Sequence, residues 1–259
     1  MLELYHWEPN AFSLKPLIVL HEKGLDFKSH YVDFLSLAQY SLPVSGTMEV
    51  RHNPELDGPI LVSNGVAMTE SFFISLFLDE AHPEKPLRPA DAYGRWQILM
   101  WARFVNEVLA PAVSTLGAKK YLVPALRAKD RKAVERVIAE IPTEEQKSGW
   151  RMALDDAYTD DLLADSRRKT GLAVKKVEDA LAGGEFLCGG GYSLADIDMY
   201  AMLAPVADLA PELLAGAPKT KAWLAAIAAR PTVKAALATG KTGKPHHAFT
   251  PGPEHSRWG

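Results

Sequence analysis

The sequence predicts two units in series, a small α/β unit with a mixed sheet and then an all-helical unit. Three observations predict this. Short strand-like runs alternate with helical stretches up to about residue 83. Residues 83–92, PEKPLRPADA, hold three prolines and little apolar content. After them nearly every apolar residue recurs at i, i+3 and i+4 spacing, the mark of helices with one buried face.

The elements follow in order. LELYHW reads as a strand. SLKPLIVLHEKG reads as a helix with Ser13 at its start and Gly24 closing it. FKSHYVDF reads as a second strand. PILVSNGVAMT reads as two short strands joined at Asn64-Gly65, the strongest short hairpin signal. ESFFISLFLDEAH reads as a helix. Beyond the proline-rich stretch, residues 93–117 read as one helix, followed by helices over 127–140, 143–182, 193–214, 218–229 and 231–239. From Gly240 the chain is rich in Gly, Pro and His and reads as solvated coil. The units are assigned to residues 1–83 and 93–240, with a linker at 84–92 and a tail at 241–259.

Composition excludes several classes. The net charge is −3 over 259 residues, without the basic footprint that nucleic acid requires. The single cysteine, Cys188, excludes an intrachain disulfide framework and suits a reducing compartment. No apolar run is long enough for a bilayer span, and the start MLELYHW has no signal-peptide pattern, so a cytoplasmic protein is expected.

Four features bear chemistry. Pro59, after Gly58 and just before the hairpin, is placed to be cis and to turn the preceding backbone outward toward a peptide-like ligand. An ordinary turn proline is the plainer reading, since cis X-Pro bonds are about 5–6% of such bonds. Thr69-Glu70-Ser71 opens a helix directly after a strand. Free N–H groups and the dipole end there suit a carboxylate, and Glu70 suits an amine, although simple capping by Thr69 reads equally well. Ser13 is a hydroxyl at a helix N-terminus, able to donate to a thiolate or merely to cap. Ser193-Leu-Ala-Asp196 has the S-x-x-D form of a capping box, so Asp196 is read as a folding element and not a catalyst.

The order of Ser13, Pro59, Glu70-Ser71, the proline-rich stretch, the Ser193/Asp196 box and AWLAAIAARPTVKAAL resembles the glutathione transferase superfamily over nearly the whole chain. The resemblance implies a thioredoxin-like N-terminal domain, an all-α helical C-terminal domain and a dimer. It implies glutathione as cosubstrate, with Ser13 as the catalytic thiol partner and Ser13, Gln39, Gly58, Pro59, Glu70 and Ser71 holding the tripeptide, Glu70 and Ser71 at its γ-glutamyl end. Asn10, Phe12, Tyr121 and Trp150 are expected at the second-substrate pocket. Segments such as SLKPLIVLHEKGLDF, MTESFFISLFLDE and above all IPTEEQKSGWR look like the bacterial β-etherases of lignin catabolism, in the branch acting on the S-configured ether. That likeness implies cleavage of a β-aryl ether ketone by glutathione thiolate, with no metal.

The family pattern N-P-x-G-x-V-P reads Asn53-Pro54-Glu55-Leu56-Asp57-Gly58-Pro59 here. Leu56 stands for glycine and Gly58 for valine. The segment 41–52 is longer than typical, and Phe12 replaces a frequent asparagine. Three readings therefore stand: a competent β-etherase, a weakened subunit of a heterodimer with a paralogous chain, and a generic detoxifying transferase. A homodimer ranks above the heterodimer. Cys188 reads as a packed or loop thiol, His246, His247 and His255 as solvated tail, and Trp96, Trp101 and Phe104 as core.

Overall fold

The computed structural model describes residues 1–42, 44 and 58–252. Leu56, His255 and most of the lengthened 41–52 segment lie outside them. In the N-terminal domain, β1 (Leu2–His6) leads through α1 (Leu14–Lys23) to β2 (Phe27–Tyr31). The hairpin β3 (Ile60–Ser63) and β4 (Val66–Met68) then runs into α2 (Ser71–Ala81). Among the described residues the strands form one sheet in the order β2-β1-β3-β4. β1 is parallel to β2 (Leu2 opposite Phe27) and antiparallel to β3 (Tyr5 opposite Ile60). Asn64 and Gly65 both take positive φ, 51° and 84°, as a two-residue turn between right-twisted strands requires.

α1 is buried on nearly every side because it packs against α2 within its own domain and against helices of the second domain. Gly24 closes it in the left-handed region, and the Leu25 N–H reaches back to the Leu20 carbonyl. The sequence gives no warning that Lys15 and Lys23 on this helix are buried too. Lys23 Nζ lies 2.7 Å from Asp79 and also donates to the carbonyls of His82 and Lys85, which ties α2 to the linker. Lys15 Nζ lies 2.6 Å from Asp198 across the domain boundary. Burial pushes the Asp198 carboxyl upward, and the Lys15 ammonium pulls it back.

The C-terminal domain begins with a long helical rod. α3 (Ala92–Phe104), α4 (Ala110–Gly117) and α5 (Val123–Arg127) follow one another through π turns at Val105–Leu109 and Ala118–Leu122. The sequence predicts one α-helix ending at 117. The rod runs on to 127, and each π turn comes just before a proline, Pro111 and Pro124. A proline ring clashes with the carbonyl four residues back, and a widened turn removes the clash.

α6 (Arg131–Ala139), α7 (Glu144–Asp155) and α8 (Asp160–Ala180) come next. One helix was expected over 143–182. It is broken at Asp156, whose φ is 55° and whose carboxylate receives Lys119 at 2.6 Å and Arg127 at 2.8 Å from the rod. A local signal also marks the restart: the Thr159 side chain accepts from the Leu162 N–H as the N-cap of α8, with Asp160 and Asp161 in its first turn. α9 (Leu194–Leu203), α10 (Val206–Leu209), α11 (Pro218–Ala229) and α12 (Pro231–Leu237) complete the domain. Asp196 accepts from the Leu187 and Ser193 backbone N–H groups, the Ser193 hydroxyl and the Trp223 indole. These contacts describe a buried folding hub.

Two expectations are corrected here. Trp96 is not core: it is 52% exposed, and Tyr93, 66% exposed, stacks on it at 5.5 Å. Trp101 is buried, and Phe104 packs partly buried against the same core. Nor is the described part of the tail solvated throughout: residues 241–244 are exposed, as expected, and full burial begins at 248. Residues 241–252 contain only a short 3₁₀ turn, Pro245–His247, yet Phe249 and Thr250 are buried. Among the described residues no helix is long and apolar enough to cross a membrane.

Candidate functional site

The site is built around the loop from β1 to α1. Glu8 and Asn10 in this loop are buried. Asn10 Oδ1 accepts from the Phe12 N–H at 3.2 Å and the Ser13 N–H at 2.9 Å, and the Asn10 carbonyl accepts from the Leu14 N–H at 2.9 Å. Asn10 therefore satisfies the first free N–H groups of α1. Ser13 itself is already helical, with φ −67° and ψ −27°, and its side chain makes no capping bond. Its Oγ is buried with no hydrogen-bond partner among the described residues. A buried hydroxyl is normally paired, and this one is among several buried polar atoms left without a hydrogen-bond partner, such as Ser114 Oγ and Ser166 Oγ. The sequence offers Ser13 as a cap. In the structure Asn10 takes that role and Ser13 is spare.

At the second corner, β4 runs into α2. Capping of α2 by Thr69 was the alternative reading. Instead Glu70 occupies the capping position by its backbone, at φ 69° and ψ 102°, with no side-chain capping bond. That conformation is sparsely populated for a residue with a Cβ. It turns the chain sharply, so that Ser71, buried, is the first residue of the helix. The earliest intrahelical bond runs from the Ile74 N–H to the Glu70 carbonyl. The preceding N–H groups of α2 thus have no intrahelical acceptor, as at any helix start, and an anion is favoured there.

The remaining predicted residues divide. Gly58 lies beside the Ser13 loop: a Cβ on it would stand 3.9 Å from Phe12 Cβ. The Gly58–Pro59 bond is trans, where a cis bond was expected. Trans is the intrinsically favoured isomer by about 0.5–1 kcal/mol. Pro59 is buried just ahead of β3. Gln39 is buried in the 3₁₀ turn Ala38–Ser41. Phe12 is half-buried, with the Lys15 ammonium 5.6 Å from its ring centre.

Tyr121, in the second π turn, is half-buried and stacks on His247 at 4.1 Å, with Phe249 at 6.3 Å. Trp150 was expected at the substrate pocket. It is fully buried in a second core with Leu37, Leu126, Ile138 and Leu154. The insertion that carries it is therefore packed onto the segment holding Gln39, and its indole has no open face.

Two participants, the tail and Glu8, were missed in the sequence. Asn10 Nδ2 donates to the Ala248 carbonyl at 3.1 Å, so the tail touches the Ser13 loop directly. Glu8 Oε1 accepts from the Lys241 and Thr242 N–H groups at 2.9 and 3.1 Å and from the Tyr31 hydroxyl at 2.6 Å. Small residues on the helices facing the tail were the available signal. A Cβ on Gly117 would stand 2.4 Å from the Phe249 ring, and one on Gly149 would stand 3.1 Å from Pro251.

A small mixed sheet with a helix-start hydroxyl, followed by an all-helical domain, defines a class that comparison with known proteins identifies. Residues 105–231 match the family described as glutathione S-transferase, C-terminal domain. A protein of Sphingobium sp. strain SYK-6, LigF, is 34% identical over 90% of this chain and 91% of its own length. The chain belongs to the glutathione S-transferase family. The crystal structure of the β-etherase LigF superposes with a TM-score of 0.84 at 32% identity, covering 92% of this chain and 99% of that one. A glutathione transferase from Burkholderia graminis, crystallised with two glutathione molecules per subunit, superposes with a TM-score of 0.64 at 26% identity, covering 93% and 89%.

Proposed function

We propose that this chain is a glutathione-dependent β-etherase. Glutathione is the cosubstrate, and a lignin-derived β-aryl ether ketone is the electrophile. The thiolate attacks the carbon bearing the aryloxy group, next to the ketone. A carbon–sulfur bond forms, the carbon–oxygen bond breaks, and the aryl oxygen leaves with the electron pair as a phenolate that water protonates. The protein orients the two reactants and stabilises the thiolate. The observation that carries the reading is the buried Ser13 hydroxyl, unpartnered among the described residues at the start of α1. The extended likeness to LigF supports the choice of ether over other electrophiles. Residues 1–83 form the glutathione side in this reading, and the single Cys188 accords with a cytoplasmic setting.

Incubating the purified chain with glutathione and a β-aryl ether ketone is expected to release the phenol and the glutathione thioether in equal amounts by mass spectrometry. Turnover of an activated chloroarene without any ether cleavage would overturn the substrate assignment.

The γ-glutamyl end is assigned to the start of α2, with Ser71 and the free N–H groups on the carboxylate and Glu70 on the amine. Ser71→Ala is expected to weaken glutathione binding by about 1–3 kcal/mol, since a buried carboxylate loses a partner. Calorimetry checks this, and unchanged affinity would remove Ser71 from the site.

The chain acts as a homodimer in this reading. Tyr93, Trp96, Leu99 and Met100 expose a contiguous apolar face on α3, and Phe73 on α2 is 57% exposed. A patch of this kind on a soluble protein marks a contact surface. Trp96→Glu is expected to shift the sedimentation coefficient to that of a monomer. The heterodimer reading draws on Leu56, Gly58 and Phe12, whereas the spare Ser13 hydroxyl favours a subunit competent on its own.

A further inference from the structure

The β1–α1 loop is fastened to residues 241–252 at two points. Glu8 gathers the N–H groups of Lys241 and Thr242 on a wholly buried carboxylate oxygen. A Cβ on Gly240 would stand 2.7 Å from the other oxygen, Oε2, so the chain passes tightly over this residue. Two residues further along the loop, Asn10 donates to the Ala248 carbonyl at 3.1 Å.

The Asn10 contact has a directional consequence. Its amide must present the oxygen to the Phe12 and Ser13 N–H groups and the nitrogen to a carbonyl. Reversing the amide would set oxygen against oxygen on one side and N–H against N–H on the other. The Ala248 carbonyl therefore reinforces the orientation that the Phe12 and Ser13 N–H groups require of Asn10, and Asn10 in turn sets the first turn of α1, where Ser13 sits. The tail is itself anchored on the far side. Phe249 packs over Gly117, and Gly252 passes Ser114 so closely that a Cβ on it would stand 2.3 Å from Ser114 Cβ.

We propose that Asn10 and Ala248 are positioning residues for the thiol-activating hydroxyl: the tail sets the aim of Ser13 through the Asn10 amide. This rests on the assignment of Ser13 to the glutathione thiol. The tail thus serves the chemistry of the N-terminal domain while it is packed on helices of the other.

Three variants test the link. Gly117→Ala keeps every tail residue and puts a methyl 2.4 Å from the Phe249 ring. Alanine is otherwise favoured over glycine in a helix, so loss of function there reports the tail. Asn10→Asp keeps an oxygen for the Ser13 N–H but turns a second oxygen on the Ala248 carbonyl. A chain ending at Lys244 removes the contact outright. In all three, the ultraviolet absorbance of bound glutathione thiolate is expected to titrate about one pH unit higher than in the parent, with kcat about tenfold lower. Glutathione affinity is expected to change less than about threefold.

Hydrogen exchange in the ligand-free proteins should show faster exchange over residues 10–17 in each variant. The proposal is overturned if the thiol titrates as in the parent, if kcat and affinity fall in proportion, or if exchange over 10–17 is unchanged. If the truncated chain does not fold, Gly117→Ala and Asn10→Asp decide. A parent that binds no glutathione yet shows the same exchange response would defeat the glutathione assignment and leave the fastening of the loop standing.

Discussion

Ser13→Ala is expected to reduce turnover with glutathione and an aromatic electrophile by roughly ten- to a hundredfold while leaving glutathione affinity nearly unchanged. A hydrogen bond to an ionised partner is worth about 1.5–3 kcal/mol. Most of that value is realised only when the thiol carries its charge, so the loss appears in kcat more than in binding. The sign of the pH effect follows from the same contact. A donor to the thiolate lowers the thiol pKa, and its removal raises it, so the rate profile of the alanine variant should move to higher pH. The variant costs little in stability, because Asn10 rather than Ser13 bonds the first N–H groups of α1. A variant that unfolds before it slows would show that Ser13 is structural after all.

Lys15→Met is expected to destabilise the protein by about 3–5 kcal/mol, because it strands Asp198 in a dry interface. At roughly 2–4 °C per kcal/mol for a chain of this size, Tm should fall by about 10 °C. The double variant Lys15→Met with Asp198→Leu is expected to recover most of the loss, since replacing a whole buried pair by apolar groups is often neutral. Thermal unfolding of the two single variants and the double variant forms a mutant cycle. Additive losses would show that the two groups do not interact, contrary to their 2.6 Å separation.

The sequence carried those features whose causes are local. The alternation in LELYHW, the Asn64-Gly65 turn, Gly24 after α1 and the Ser193/Asp196 box each depend on residues within a few positions of one another. What it did not carry depends on distant partners. Asp156, where a helix breaks, has its carboxylate held by the distant Lys119 and Arg127. Trp150 has an ordinary helical setting in the sequence, and only the packing of α7 on Leu37 buries it. The candidate site divides the same way. Ser13 and Ser71 stand at helix starts that periodicity reveals. That Ser13 is spare could not be read, because it requires knowing that Asn10 turns back over the loop. The tail looked solvated because composition was its only local property, whereas its burial is written in Gly117 and Gly149 of other helices.

The contacts from Glu8 and Asn10 to Lys241, Thr242 and Ala248 join positions more than 230 residues apart. During translation the N-terminal domain leaves the ribosome first and forms its sheet early. Its loop then waits, with the contacts to Lys241, Thr242 and Ala248 unmade, until residues 241–252 have emerged. The β1–α1 loop of the first domain is thus completed by a stretch made after both domains. A chain that stops before residue 241 is therefore expected to fold its sheet and still leave this loop unfastened, which faster hydrogen exchange over residues 8–13 would reveal.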